Sequence, residues 1–169
     1  MEREVPLSPQ KKVFRRGDGL VDNVWLPRSV VRDRMKAMKT VFVTFVDVAK
    51  AFDSVSHYTM ILAARRVGIP DRLLAYIKSL YSGTETRQGR GQLRSPIRVA
   101  RGVRQGDPLS PLLFNYVMDW ILTELDPDLG IKLEDSDTKL NHLAFADNVS
   151  LITSSCMAAN MSLLNLKLG

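Results

Sequence analysis

Apolar residues follow two different periods along the chain, and together these predict a mixture of strands and helices. Residues 40–47 (TVFVTFVD) are rich in β-branched and aromatic side chains, which indicates a strand covered on both faces. After Ser54 the apolar residues recur at helical spacing until the stop signal at Gly68. Asp71 then caps a second helix that continues to Tyr81. One buried strand is therefore followed by two helices.

The segments on either side of this unit add further helices and strands. Near the start, Asp18 caps a helix that Pro27 is expected to kink or restart. The Arg-rich segment 84–101, which contains Gly89 and Gly91, is typical of an exposed hairpin. The later elements, in chain order, are an apolar helix from Pro108 or Pro111 to just before Pro127, strands over 139–146 and 149–153 around a tight turn at Asp147 and Asn148, and a helix from about Met157. This succession predicts an α+β fold.

Composition narrows the class of protein. A chain of 169 residues with 45% apolar residues is long enough for one domain with a real core, and we expect that domain over residues 18–169. Residues 1–17 are polar and basic, and they are expected to form a flexible arm. Cys156 is the single cysteine, so an internal disulfide is excluded. No stretch approaches the roughly 20 apolar residues of a membrane span.

The charges are segregated along the sequence. Residues 1–104 carry 21 Lys and Arg against 9 Asp and Glu, whereas residues 105–169 carry 3 against 9. Six arginines with no acid among them fall within residues 87–104. Such a run attracts a polyanion by neutralising phosphates and releasing counterions. A solvated hairpin face is the alternative.

Two aspartates lie in strongly apolar surroundings. Asp47 ends the first predicted strand, and Asp147 lies between Leu143–Ala146 and Val149–Ile152. A carboxylate in such a place must be paired, solvated or bound to a cation, because burying it alone is too costly. Two acids of this kind could share hard cations while substrate phosphates complete the coordination, as in two-metal phosphoryl or nucleotidyl transfer. Aspartates that cap turns or form salt bridges are the alternative.

A second candidate site is the constrained segment 105–111 (QGDPLSP), where the basic hairpin ends and the apolar helix begins. Its glycine permits close approach of a ligand, and the helix start offers N–H groups to anions. An ordinary capped junction would have the same composition. Phe52 fits either a core position or the wall of a pocket. The side chains without ligand spacing, which are most simply structural, are His57, His142 and Cys156.

Three segments in order identify a family resemblance. FVDVAKAFDSVSH (45–57), ARGVRQGDPLSP (100–111) and LAFADN (143–148) resemble motifs A, B and C of reverse transcriptases. The resemblance is strongest to LINE-type retrotransposons, which lack long terminal repeats, and especially to the clade that inserts into ribosomal RNA genes. It implies a polymerase palm, an antiparallel sheet backed by helices, with partial fingers.

The resemblance also implies roles for individual residues. Asp47 and Asp147 match the catalytic aspartates, which bind two Mg²⁺ ions, or Mn²⁺ as a substitute, with the backbone carbonyl of Val48. Phe52 matches the aromatic residue that excludes the ribose 2′-OH of an incoming nucleotide. The motif B residues that would contact the nucleotide and its template base are Gln105 and Gly106.

The implied activity is RNA-directed DNA synthesis from an RNA template, a DNA primer and deoxynucleoside triphosphates, in the nucleus or cytoplasm. Motif C normally ends in two aspartates, and Asn148 replaces the second, which removes one negative charge and predicts weakened activity. We also expect the chain to be truncated, without some finger elements and without the primer grip and thumb. The alternative function is a catalytically impaired remnant or domesticated module that binds nucleic acid without polymerising.

Overall fold

The computed structural model describes residues 19–83, 85–86, 97–104, 106–133 and 139–168. In chain order the elements are α1 (Gly19–Lys36), β1 (Phe42–Asp47), α2 (Ala51–Ser54), α3 (His57–Arg66), α4 (Asp71–Tyr81), β2 (Glu85–Thr86), β3 (Ile97–Arg98), α5 (Ser110–Thr123), a 3-10 turn (Pro127–Leu129), β4 (Ile131–Lys132), β5 (Lys139–Leu140), β6 (His142–Phe145), β7 (Asn148–Thr153) and α6 (Cys156–Leu168). Helices and antiparallel strands are mixed, so the predicted α+β class is confirmed. The predicted arm over residues 1–17 lies outside the described residues.

The chain forms two compact units, one of residues 50–117 and one that contains the described residues 19–49 and 118–168. In the first unit, α3 and α4 pack together through side chains that are almost fully buried. Ser56 caps α3 by accepting a hydrogen bond from the Thr59 N–H at 3.0 Å, and Gly68 follows the helix in a left-handed conformation, as its stop signal predicted. The core side chains of this helix pair are Met60, Ala63, Ala64, Leu74 and Ile77.

The hairpin predicted between α4 and α5 is also present in this unit. Strands β2 and β3 pair in antiparallel register, with Glu85 opposite Arg98 and Thr86 opposite Ile97. The connecting residues 87–96 lie outside the described part of the chain. In α4, Asp71 is the first helical residue and not the cap as predicted, because Pro70 occupies the cap position. The negative charge of Asp71 in the first turn is still stabilised by the positive end of the helix dipole.

The second unit is built on a three-stranded antiparallel sheet in the order β1-β7-β6. Helix α1 packs against β6, and α6 packs against β1 and β7. One core cluster joins the sheet to α1 and to the short β4–β5 pair, and its buried members are Val30, Ile131, Leu140, Leu143 and Ile152. Burying such aliphatic side chains contributes about 1.5–3 kcal/mol each.

The structure differs from two expectations about this unit. Of the kink or restart expected at Pro27, the restart does not occur, because α1 continues from Gly19 to Lys36. The predicted coverage of the first strand on both faces is also wrong. Within the described residues β1 is an edge strand that pairs only with β7, and the Phe45 side chain is 80% exposed. Apolar residues on both faces of a short strand therefore do not guarantee burial.

Among the described residues, no helix combines the length and the apolar character required to cross a lipid bilayer.

The turn before β4 depends on a glycine for steric reasons. Gly130 is buried, and a Cβ atom there would lie 2.6 Å from the backbone carbonyl oxygen of Leu140. We therefore expect Gly130→Ala to lower the free energy of unfolding by about 3 kcal/mol, the upper end of the usual cost of overpacking, since backbone cannot move aside as a side chain can. Gly68→Ala is the control, because Gly68 has open space around it and a left-handed φ of 84° that costs an alanine only about 1 kcal/mol. Equal losses in urea unfolding experiments would contradict this account.

Candidate active site

Strand register brings the start of motif A and the end of motif C together in the second unit. β1 and β7 are antiparallel, and their last pair places Asp47 directly opposite Asn148. Residues paired in this way are about 5 Å apart at Cα and point to the same face of the sheet. Both side chains are exposed. Two segments a hundred positions apart in the sequence thus meet at one end of the sheet.

Asp147 reaches the same end through the turn that precedes β7. Phe145 pairs with Asn148, so the β6–β7 connection is a two-residue turn of Ala146 and Asp147. Asp147 is half-buried, and it directly precedes the residue that faces Asp47. The predicted turn at Asp147 and Asn148 is therefore displaced by one residue, because Asn148 already belongs to β7. Both predicted carboxylates lie at this end of the sheet.

This end of the sheet is open to solvent, whereas the other end of the same face is covered. On β7, Ile152 is fully buried in the core cluster and lies opposite Val43. Moving along the face by two residues brings Phe45 opposite Ser150, and by two more brings Asp47 opposite Asn148. The aspartates therefore lie where the hydrophobic packing ends, and a charged side chain there avoids the cost of burial.

The donor set at this position suits a magnesium ion that is shared with a substrate. Mg²⁺ in phosphoryl-transfer sites is held by one or two carboxylates, with water and substrate phosphates completing an octahedron. Asp47 and Asp147 supply two carboxylates, and the half-buried Val48 follows Asp47 directly. Among the described residues there is no group of three or more His, Cys, Asp or Glu side chains that could hold a metal. Two carboxylates beside a backbone carbonyl fit a metal ion whose remaining ligands come from water and substrate.

Phe52 is fixed in the first unit by a ring contact and a backbone hydrogen bond. Its ring stacks on that of the fully buried Phe114 of α5, with the centroids 4.4 Å apart. Its carbonyl oxygen accepts a hydrogen bond from the Val103 N–H at 2.9 Å. The side chain remains half-buried. The sequence allowed either a core position or a pocket wall for Phe52. In the structure one face of its ring packs on Phe114, and part of the side chain is exposed.

Three hydrogen bonds within the first unit extend this link between the end of motif A and the start of motif B. The His57 N–H donates to the carbonyl of Ala100 at 3.1 Å, and the Gly102 N–H donates to that of Val55 at 2.8 Å. The His57 ring is held structurally, with Nε2 3.0 Å from the Gly102 carbonyl oxygen. Gly102 has a φ of 90°, and a Cβ there would lie 3.3 Å from Cα of Asp53. The close approach of the two segments therefore favours glycine.

The motif B loop is held by hydroxyl groups that sequence analysis did not single out. Ser110 Oγ donates to the Arg104 carbonyl at 2.6 Å, and Tyr81 Oη lies 3.3 Å from the same hydroxyl. Within this loop Gly106 is exposed with a φ of 82°, so its conformation and not crowding requires glycine. Gln105 lies outside the described residues. Tyr81 was visible in the sequence only as the end of a helix, since no local signal names a partner 29 positions away.

The two other potentially reactive side chains named from the sequence lie in the second unit. His142 is buried, and its Nδ1 is 2.8 Å from Oδ1 of Asn141. Cys156 is a free, exposed cysteine at the start of α6.

The comparisons with known proteins agree with the motifs. The profile of the family described as reverse transcriptase (RNA-dependent DNA polymerase) matches residues 5–166. The chain belongs to the reverse transcriptase family.

Several curated members of this family resemble the chain. A retrovirus-related Pol polyprotein from the type-1 retrotransposable element R2 of Popillia japonica is 40% identical over 154 residues, which cover 90% of this chain and 22% of that protein. The corresponding R2 protein of Nasonia vitripennis is 35% identical, covering 96% of this chain and 16% of its own length. The Pol polyprotein of the type-2 element R2DM of Drosophila melanogaster is 36% identical, covering 92% of this chain and 15% of its own length. The chain spans less than a quarter of each of these relatives, and the predicted resemblance to retrotransposon reverse transcriptases is confirmed.

Ala146 has a left-handed backbone, with a φ of 53°, immediately before Asp147. Glycine adopts this conformation without strain. We therefore expect Ala146→Gly either to raise the free energy of unfolding or to lower it by no more than about 1 kcal/mol. Ala144→Gly is the matched control, because Ala144 is 1% exposed in β6 and loses both methyl burial and strand rigidity, at a cost of about 1–2 kcal/mol. Urea unfolding compares them. A larger loss for the Ala146 variant would show that its backbone is not strained.

Proposed function

We propose that this chain is an RNA-directed DNA polymerase domain of a retrotransposon. The observation that carries the proposal is the β1–β7 register, in which Asp47 faces Asn148 and Asp147 lies one residue away. Family membership supports the same activity. In this proposal the sheet β1-β7-β6 is the polymerase palm, and the domain includes part of the fingers.

The proposed reaction joins one nucleotide to a primer. The 3′-hydroxyl oxygen of a DNA primer forms a bond to the α-phosphorus of a deoxynucleoside triphosphate that is paired with an RNA template. The bond from that phosphorus to the bridging oxygen breaks, the hydroxyl proton is lost, and pyrophosphate leaves. The protein supplies no nucleophile, so positioning and electrostatics carry the catalysis.

Asp47, Asp147 and the backbone carbonyl of Val48 would hold two Mg²⁺ ions, and Mn²⁺ is the alternative metal. When bound, these ions stabilise the negative charge on the attacking and leaving oxygens. The chain's own contribution is to keep the two carboxylates at one exposed end of a hydrogen-bonded sheet. Little reorganisation is then required when substrate arrives.

The nucleotide-binding roles of Phe52, Gln105 and Gly106 are part of the same proposal. The stacking of Phe52 on Phe114 supports a rigid wall against the ribose 2′-OH, because a ring backed by a buried ring cannot yield easily. Gly106 lies in a loop fixed by Ser110 and Tyr81, which supports a preformed surface for the nucleotide and its template base.

Removing either carboxylate should strongly reduce synthesis. We expect Asp47→Asn and Asp147→Asn each to lower the rate of Mg²⁺-dependent primer extension on an RNA template by at least about 100-fold, which corresponds to about 2.7 kcal/mol of transition-state stabilisation. Asp128→Asn is the control, since Asp128 is an exposed aspartate of the same unit whose recorded partner is Lys139, 2.8 Å away. Its rate should stay near that of wild type.

The same assay distinguishes the alternative function. If the wild-type chain, fused to the finger and thumb segments that it is expected to lack, extends no primer with Mg²⁺ or Mn²⁺ but still binds template and primer, it is a binding module that has lost synthesis. If the Asp47 and Asp147 variants extend primers as well as the Asp128 variant does, the site is wrongly placed.

Restoring the second aspartate of motif C should increase activity. Asn148→Asp adds a carboxylate opposite Asp47, and we expect primer extension to rise by about tenfold, or about 1.4 kcal/mol. Without divalent metal the same change should destabilise the fold, because like charges directly opposite each other in a sheet repel. Asn160→Asp, an exposed change of the same type in α6, is the control. Equal rates for Asn148→Asp and wild type would refute the prediction that asparagine weakens catalysis.

A further inference from the structure

A cavity of about 780 Å³ lies within the first unit, between α3, the end of α4 and the residues that follow β3. Its size is within the range of ligand sites, which is about 300–1,000 Å³. None of the residues assigned to nucleotide addition lines it. We call it the basic cleft, for the three cationic side chains on its wall: Arg65, Lys78 and Arg101.

The three cations have no counter-charges among the described residues. Arg65, Lys78 and Arg101 are exposed, and none of them forms an ion pair with an acidic side chain in the described part of the chain. The described lining of the cleft includes no Asp or Glu. Arg65 and Lys78 are in the last turns of their helices, where the negative end of the helix dipole also stabilises a cation. That explanation does not apply to Arg101, which lies outside any helix and lines the same cavity.

The wall that carries Arg101 is fixed before any ligand arrives. Arg101 forms an antiparallel bridge with Ser56, and its neighbour Ala100 accepts a hydrogen bond from the His57 N–H at 3.1 Å. Gly102, on the other side, donates to the Val55 carbonyl at 2.8 Å. A cation on a fixed backbone requires less ordering when an anion binds, which favours affinity.

The cleft also offers an aromatic ring and an apolar wall. Tyr58, Ile61, Leu62 and Arg65 recur at intervals of three or four residues, so they lie along one face of α3. The Tyr58 ring is 73% exposed. Cationic side chains that contact phosphates, combined with exposed aromatic rings on which bases stack, are the features by which proteins bind single-stranded nucleic acids.

We propose that the basic cleft binds a single-stranded nucleic acid, with phosphates at Arg65, Lys78 and Arg101 and a base stacked on Tyr58. The sequence supports a strand over a small anion, because the residues leading into Arg101 include further arginines at 87, 90, 94 and 98. A binding site of this kind does not depend on polymerase chemistry, so the proposal stands or fails independently of Asp47 and Asp147.

The test is fluorescence anisotropy with a labelled single-stranded oligouridylate, measured across a range of salt concentrations. We expect the triple variant Arg65→Gln, Lys78→Gln and Arg101→Gln to reduce affinity strongly. Three lost phosphate contacts should reduce the slope of log K against log salt by about 2, at about 0.7 per contact for single strands. The control is a variant with the same charge loss at exposed positions outside the cleft: Lys36→Gln, Lys39→Gln and Arg72→Gln.

A second pair of variants tests the stacking contact. Tyr58→Leu should weaken binding by about 5- to 150-fold, the range for loss of one stacked base. Tyr76→Leu is the matched control, since Tyr76 is 54% exposed on α4 and does not line the cleft. The proposal is overturned if the cleft triple binds as tightly as the control triple, or if the two tyrosine variants lose affinity equally.

Competition experiments distinguish a nucleic acid strand from the other anions that a basic cleft could bind. Displacement of the oligonucleotide by micromolar deoxynucleoside triphosphate would assign the cleft to free nucleotides, and equal displacement by polyglutamate would assign it to acidic peptides; either result overturns the proposal. Should the triple variant fail to fold, wild type can be cross-linked to a 4-thiouridine oligonucleotide and the peptides mapped. We expect cross-links within His57–Arg66, and their absence there would contradict the proposal.

Discussion

The antiparallel pairing of β1 with β7 is the constraint on which the site depends. It is a ladder of backbone hydrogen bonds, so its register is set along the whole strand, and a slip of one residue would turn Asp47 to the opposite face. The buried residues of β7 resist such a slip, because Ile152 must stay in the core cluster. Hydrophobic packing at one end of the sheet thereby fixes the position of the carboxylates at the other.

Local patterns predicted the elements well and their surroundings less well. The stop at Gly68, the apolar helix α5 and the strands around motif C follow from spacing and turn residues, and the motifs led from there to both aspartates. Exposure of Phe45 could not be predicted, because an apolar residue in a strand gives no sign of whether another element covers its face at that point. Pro27 inside α1 and the contact between Tyr81 and Ser110 likewise depend on tertiary context, which no local window contains.

Asn148 links stability and chemistry at this end of the sheet. Its position directly opposite Asp47 is where a second acid would repel most strongly in the absence of metal, so asparagine eases folding of the metal-free protein. The same neutrality reduces the attraction for cations. Active sites commonly trade stability for function in this way, and in the proposed site the two effects would act on one cross-strand pair.

The exposed edge of β1 also affects how the protein behaves at high concentration. From Phe42 to Asp47 the strand carries a single charge, at its end, and Phe45 projects into solvent. Within the described residues its outer backbone groups have no neighbouring strand. Free, apolar strand edges of this kind promote edge-to-edge aggregation, and natural proteins usually guard them with lysine, proline or a covering segment. Handling the isolated domain therefore calls for dilute conditions or for a polar replacement at position 45.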